Sequence, residues 1–385
     1  METTKVISIG GSNGKTTTTR LVEAVLSASL QGSASPKSFN NALGVPLTLL
    51  NASPGDVFVV AEVGTNAPGE IATLAGLVRP DIAVITSIGR EHLEGLGSIE
   101  GVAREEAAIL PAIAMGGGGT AILNADAPHL LSLSRTMLAG RSDVTVVTFG
   151  VAKDADLRVT EIEHGMDGMR VTINDREIYH VPMIGRHNAG NAAAAVAVGR
   201  RMGLDTDTIN AGLARVRPPE HRLQRLMIGG IFVLDDAYNA NPESTRAAIE
   251  TFAEIAVAAP RRVVVLGDML ELGADSAQLH REIGKHVADC GAADVAMLVG
   301  PRSAETARAV ADASPTIAVR HFPEATLAAC ETIARTFHPG DAVLLKGSRG
   351  MALDRVAAAL RRLHPQPDQP PTIITPNPNP AAATR

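Results

Sequence analysis

One stretch constrains this chain more than any other: VISIGGSNGKTTTT at residues 6–19. Residues 6–9 are a short apolar run of the kind that forms a buried strand. Gly10, Gly11 and Gly14 follow as a turn. Lys15 and Thr16 then open a helix through residue 26, with Leu21, Val22, Val25 and Leu26 at helical spacing. A strand that passes directly into a helix through small residues aims backbone N–H groups and the positive end of the helix at one point, which suits a chain of phosphates. The loop Gly11, Ser12, Asn13, Gly14, Lys15, Thr16 and Thr17 is expected to cradle it, with Lys15 as a mobile cation and the Thr16 hydroxyl placed to ligate Mg²⁺. Ile9 stands where the common nucleotide-loop pattern has its first glycine, so the usable motif is GxxGKT. An incidental lysine on a glycine-rich turn would share the composition but not this order of strand, turn, Gly-Lys-Thr and helix.

A chain of 385 residues is expected to hold two or three domains. The net charge of −6 implies no broad basic surface for nucleic acid, and 2% aromatics without tryptophan weaken any base-stacking platform. The cores must therefore be built from Ala, Val, Leu and Ile. Two cysteines, Cys290 and Cys330, are too few for a disulfide framework and suit a reduced compartment. No apolar run approaches the roughly 20 residues of a membrane span, and the amino-terminal segment has no cleavage-site pattern. A cytoplasmic protein is expected.

Residues 35–50 read as a loop rich in Ser, Asn, Gly and Pro that enters a helix, with Asn40 and Asn41 candidates to face a substrate. Residues 56–62 read as a buried strand ending in Glu62, where a carboxylate opposite a phosphate loop commonly holds the nucleotide's Mg²⁺. Residues 79–88 read as the next strand, with His92 just past its end among Glu91 and Glu94. A helix is expected at 99–110, a glycine-rich turn at 115–119, strands at 120–124 and 144–149, and a small antiparallel addition at 157–180 with a turn near 166–168. Residues 185–199 read as an Ala-rich helix with a polar start. VRPP at 216–219 marks a boundary. Beyond it come a strand at 232–236 ending in Asp235 and Asp236, the turn chemistry of DDAYNANPES, strands at 262–267, 294–300 and 341–346, and a helix at 273–290. The last strand ends in Lys346 before GSRG. The alternation argues an α/β architecture: a P-loop domain with a mostly parallel sheet at 1–218, a Rossmann-like domain at 219–364, and a disordered Pro-rich tail at 365–385. The residues alone reach an Mg²⁺-nucleotide enzyme whose two domains could meet two substrates at a cleft.

The ordered motifs GGSNGKTT, NNALGVPLTLL, EVGTNAPGEI, VRPDIAVITSIGREHLEGLGSIEGVA, ILNADAP, GRHNAGNAAAA, DDAYNANPES, LGDMLELG and LLKGSRG together resemble the Mur ligases. The resemblance implies an ATP- and Mg²⁺-dependent amide ligase of peptidoglycan precursor assembly. A substrate carboxylate would be phosphorylated to an acyl phosphate, and an amine such as D-Ala-D-Ala would expel phosphate. It implies that Lys15 and Thr16 hold the phosphates and the first Mg²⁺. Glu62 would be an acidic Mg²⁺ ligand, and His92 a ligand near the second Mg²⁺. His187, Asn188 and Asn191 would lie near the adenine. Arg222 would approach the phosphates and Asp236 the ribose. Asn239, Asn241, Lys346 and Ser348 would line the side of the amine and acyl phosphate. Lys15, His92, Arg222 and Lys346 are the catalytic candidates.

Two departures from the family matter. A small domain for the UDP sugar precedes the phosphate loop in the family, whereas five residues precede Val6 here. A partner protein supplying that surface, or a carboxylate substrate without UDP, is the corresponding expectation, and a non-catalytic nucleotide-binding subunit is the rival of another class. The family also carries a lysine, converted by CO₂ to a carbamate, at the position of Glu106. A permanent carboxylate from Glu106 is expected to stand in for it at the second metal. His221 takes a position before Arg222 where the family usually has glycine.

Overall fold

A computed structural model describes residues 4–114, 118–165 and 167–365. Part of the turn expected at 115–119, residue 166 of the turn near 166–168, and the tail from 366 onward lie outside the described residues. The chain divides into two compact units, Met1–Pro219 and Glu220–Arg385.

The first unit holds strands β1 Lys5–Gly10, β2 Gly32–Ala34, β3 Phe58–Glu62, β4 Ile82–Ile85, β5 Gly119–Asn124, β6 Val144–Gly150, β7 Leu157–Gly165, β8 Gly168–Ile173 and β9 Glu177–Val181. They form one nine-stranded sheet in the order β2-β3-β1-β4-β5-β6-β7-β8-β9. Neighbours from β2 to β7 run parallel, and β7, β8 and β9 pair antiparallel. All of β3 and β4 is buried, as continuous apolar strands covered on both faces must be. β7 instead alternates between covered and exposed positions, the pattern of a sheet with one wet face.

The pleat divides the core of this unit in two. Ile7 and Ile9 of β1 pack with Leu21, Val22 and Val25 of the helix Lys15–Leu26 and with the alanines of the helix Arg186–Arg201. Ala61, Ala83, Ile85 and Leu123 pack on the opposite side with Ile71, Leu74 and Val78 of the helix Glu70–Val78. Ala-rich packing compensates for the scarcity of aromatics by letting helices approach closely. A Cβ at Gly199 would already press against Val25 and Ile209.

The second unit holds β10 Gln224–Ile228, β11 Ile231–Asp236, β12 Arg261–Gly267, β13 Val295–Val299, β14 Ala318–Phe322 and β15 Asp341–Lys346. Their order is β10-β11-β15-β12-β13-β14, with β10 antiparallel to β11 and the rest parallel. The sheet is an open, doubly wound one whose carboxyl edge carries Asp235, Asp236 and Lys346.

The sequence reading differs from this at several elements. The structure adds strands β2, β10 and β14 and the helices Leu93–Leu96, Pro128–Met137, Thr206–Ala214, Pro242–Ile255, Ser303–Ala313, Leu327–Ala334 and Asp354–Leu363, to which the sequence reading assigns no element. The helix expected at 99–110 ends as Ile99–Ala107, and a 3₁₀ turn, Leu110–Ala112, continues around Pro111. A proline there disfavours helical backbone at the residue before it. Among the described residues, no helix is long and apolar enough to cross a membrane.

Candidate functional site

The turn at the head of β1 takes a shape that only its glycines allow. Gly11 has φ +113° and Gly14 φ +90°. A Cβ at Gly11 would collide with the Thr86 hydroxyl, and one at Gly14 with the Asn191 amide oxygen. The loop is braced by the segment that leaves β4. Thr86 Oγ1 sits between the carbonyls of Gly10 (2.9 Å) and Asn13 (2.6 Å). Ser87 Oγ accepts from Asn13 N at 2.9 Å, and Ser12 N donates to Ser87 O at 2.8 Å. Asn124 at the end of β5 holds this brace in turn, donating to Thr86 O at 2.7 Å. Such bracing fixes the shape of the loop, so little ordering would be needed for it to take a ligand.

Lys15 folds back on the loop, donating to Gly11 O and, at 3.3 Å, to Ser12 O. Its ammonium also lies 3.7 Å from Glu91 Oε1. Glu106 on the helix Ile99–Ala107 is buried and accepts from Gly11 N at 2.6 Å. Burial pushes its pKa up, against the opposing pull of Lys15 and Gly11 N–H. Burial pushes Glu91 up to about 8, with Lys15 again opposing. Two carboxylates thus share one lysine inside the loop. Glu62 closes the other side at the end of β3, beside Ile9 of β1, with Oε1 accepting from Asn40 Nδ2 at 2.9 Å. One oxygen each of Glu62, Glu91 and Glu106 is buried without a hydrogen-bond partner. Thr16 Oγ1 lies 3.0 Å from Ser38 Oγ. His92 has φ +50° at the head of the short helix Leu93–Leu96, and its Nε2 is 3.9 Å from Glu91 Oε2.

The expected ligands therefore gather at one loop without forming a closed cage. Among the described residues no three His, Cys, Asp or Glu side chains come together as a metal-binding group. Asn40 serves as the holder of Glu62, and Asn41 accepts from the N–H of Gly44 at 2.9 Å, shaping the entry to the helix Gly44–Leu50. Asn188 and Asn191 are buried and bonded to each other at 2.9 Å, with Asn191 packed on Gly14, while His187 is exposed. The polar start of that helix thus supports the loop at residues 11–17.

In the second unit, Lys346 is buried and paired with Asp236 at 2.6 Å, and it donates to Asn239 O at 2.9 Å. Asp236 also accepts from Leu223 N at 3.0 Å. The Arg222 guanidinium lies 4.1 Å from the centroid of the Tyr238 ring, a cation–π stack. Asn241 caps the helix Pro242–Ile255 in a reciprocal box with Ser244. Buried Ser348 accepts from Leu270 N at 2.9 Å and lies 3.3 Å from Ala240 O.

Thr86, Ser87, Asn124 and Tyr238 escaped the sequence reading. Their signal was present in the polar residues at or just past the ends of β4, β5 and β11, at the carboxyl edge where such sheets hold ligands.

Residues 9–199 match the family model described as Mur ligase middle domain, and residues 221–349 that described as Mur ligase, glutamate ligase domain. The chain is 32% identical over 359 residues to UDP-N-acetylmuramoyl-tripeptide–D-alanyl-D-alanine ligase of Bacillus subtilis, covering 93% of this chain and 76% of that protein. It is 34% identical over 363 residues to the ligase of the same name from Escherichia coli, covering 93% and 77%. A crystal structure of MurF from Acinetobacter baumannii superposes with a TM-score of 0.79 at 29% identity, covering 93% of this chain and 76% of that one. The chain belongs to the Mur ligase family of ATP-dependent ligases.

Proposed function

We propose that this chain joins a D-alanyl-D-alanine-type amine to the terminal carboxylate of a UDP-N-acetylmuramoyl-tripeptide-type acid in the cytoplasm, through an acyl phosphate. Relatives at 32% and 34% identity that carry this name support the pairing of substrates. The observation that carries the chemistry is the braced loop with Lys15 at its mouth and buried carboxylates beneath it.

The γ-phosphoryl group of ATP passes to the substrate carboxylate, and the amine then displaces phosphate. Both steps depend on position and on neutralising charge more than on covalent chemistry by the protein. The loop Gly11 to Thr17 supplies N–H donors, and Lys15 leaves the loop carbonyls for the outer phosphates. His187, exposed at the start of its helix, is offered to the nucleoside, with Asn188 and Asn191 holding the loop beneath.

The orphaned oxygens of Glu62 and Glu106 are hard donors that fit Mg²⁺, which typically takes one or two carboxylates and completes its shell from phosphates and water. Thr16, Glu62, His92 and Glu106 are the residues we assign to it. When bound, Mg²⁺ neutralises the charge that accumulates on the transferring phosphoryl oxygens. In the second unit we assign Arg222 to phosphate and Asp236 to the ribose. Lys346, Asn239, Asn241 and Ser348 are assigned to the side of the acyl phosphate and amine.

Paired measurement of ADP and amide with this acid and amine tests the reading. Equal amounts of each are expected, with Lys15→Ala lowering turnover by about 10²-fold or more at an unchanged circular dichroism spectrum. ADP release without amide, or full turnover by Lys15→Ala, would overturn it.

A further inference from the structure

The reaction proposed above needs a proton acceptor, because an amine substrate is mostly an ammonium ion at neutral pH and has no lone pair to attack with. At the carboxyl edge of the second unit's sheet stands a pair that none of the assigned roles uses. His221 Nδ1 lies 2.8 Å from Oδ2 of Asp235, and Asp235 is wholly buried. The other Asp235 oxygen accepts from Ala237 N at 3.1 Å. A buried carboxylate fixed in this way keeps the proton of a neutral imidazole on Nδ1 and turns Nε2 outward as an acceptor. Nε2 has no hydrogen-bond partner among the described residues, and the side chain is 29% exposed.

The backbone is bent to hold this arrangement. His221 has φ +56° and Leu223 φ +48°, both in the region that side chains with a Cβ seldom occupy. The segment is stitched to the strand end beside it. Tyr238 N donates to His221 O at 3.2 Å, and Leu223 N to Asp236, the partner of Lys346. His221 therefore belongs to the same strand-end cluster as Arg222, Asp236, Asn239 and Lys346.

We propose that His221, oriented by Asp235, is the general base that deprotonates the incoming amine. This rests on the ligase reading. The ammonium first passes one proton to Nε2, which frees the lone pair on nitrogen. As that nitrogen attacks the acyl carbon the C–N bond forms, the C–O bond to phosphate breaks, and phosphate leaves with the bonding pair and takes up the second N–H proton. The imidazolium then returns its proton to water. The charged groups that act on His221 are Asp235 on β11, Asp354 on the helix Asp354–Leu363, and Glu220 on its own segment. The Asp235 hydrogen bond raises the imidazole's pKa, partly offset by burial. The base is neutral above that value, so the rate should fall on its acid side.

The test is His221→Asn in the full chain. Asparagine tolerates positive φ and can donate to Asp235, so it keeps the shape of the segment and removes only the base. Turnover with the dipeptide amine is expected to fall about 10²-fold, with loss of the acid limb of the kcat profile. Hydroxylamine, which is largely unprotonated at neutral pH and needs no base, is expected to trap the acyl phosphate of the variant as fast as that of the parent. Unchanged dipeptide turnover, or an equal fall with both nucleophiles, would overturn the proposal. The second result would make His221 a residue that merely shapes the turn. A parent enzyme that makes neither amide nor hydroxamate would instead remove the ligase reading itself.

Discussion

At the scale of single residues, the site is a balance of charge inside a loop of fixed shape. Gly11 is the most exacting position, because its φ of +113° and the Thr86 hydroxyl both forbid a side chain. Gly11→Ala is expected to cost about 1–3 kcal/mol of local strain and to weaken ADP binding at least tenfold by titration calorimetry, with secondary structure retained. Glu106 carries the other residue-scale prediction. A genetically encoded carboxylate needs no CO₂, so turnover is expected to be the same in CO₂-depleted and bicarbonate-supplemented buffer. Stimulation by bicarbonate would show that another group forms a carbamate. Much of this was legible in the sequence: GSNGKTT, Glu62 and His92 stand on one sheet edge because strand and turn order put them there. Asn40 and Asn241 were not legible as supports. An Asn that will face a ligand and one that will hold a neighbouring Glu or cap a helix look alike until the fold supplies the partner.

At the scale of elements, caps and buried polar ties set the strand-end loops. Removing the cap in Asn241→Ala is expected to lower stability by about 1 kcal/mol in urea unfolding. His280 ties the helix Ser276–Asp289 to the end of β12. Its Nε2 accepts from Met269 N at 3.1 Å, and its Nδ1–H donates to Ser276 O at 2.7 Å. Burial chiefly depresses its pKa below the usual 6.5. The unfolded chain therefore takes up a proton that the folded one refuses. His280 thus contributes full stability above pH 6.5 and progressively less as the pH falls below it. His280→Gln is expected to flatten the stability–pH curve in that window, which chemical denaturation at several pH values would show.

Most of the parallel strands were legible because they are short, apolar and bounded by turn residues. The β10–β11 hairpin was missed although Gly229 and Gly230, at φ +59° and +77°, are a typical two-residue turn. The strand before them, QRLMI, alternates too weakly for periodicity to mark it. The helix Leu327–Ala334 has little polar contrast between its faces, and β14 is largely uncovered, so neither carried a periodic signal.

At the scale of the whole molecule, each unit has its own sheet, its own core and its own set of polar groups at the carboxyl ends of its strands. The first carries the braced loop at residues 11–17. The second carries Lys346, Arg222 and the His221–Asp235 pair. The chain spans about three quarters of the length of the Bacillus subtilis and Escherichia coli ligases named above. The most direct measurement is mass-spectrometric detection of product from ATP, Mg²⁺, UDP-N-acetylmuramoyl-tripeptide and D-alanyl-D-alanine with the purified chain, alongside ADP and phosphate. The expected result is the amide-linked pentapeptide nucleotide in equal amount to ADP and phosphate; ATP hydrolysed with this pair and no amide formed would contradict it.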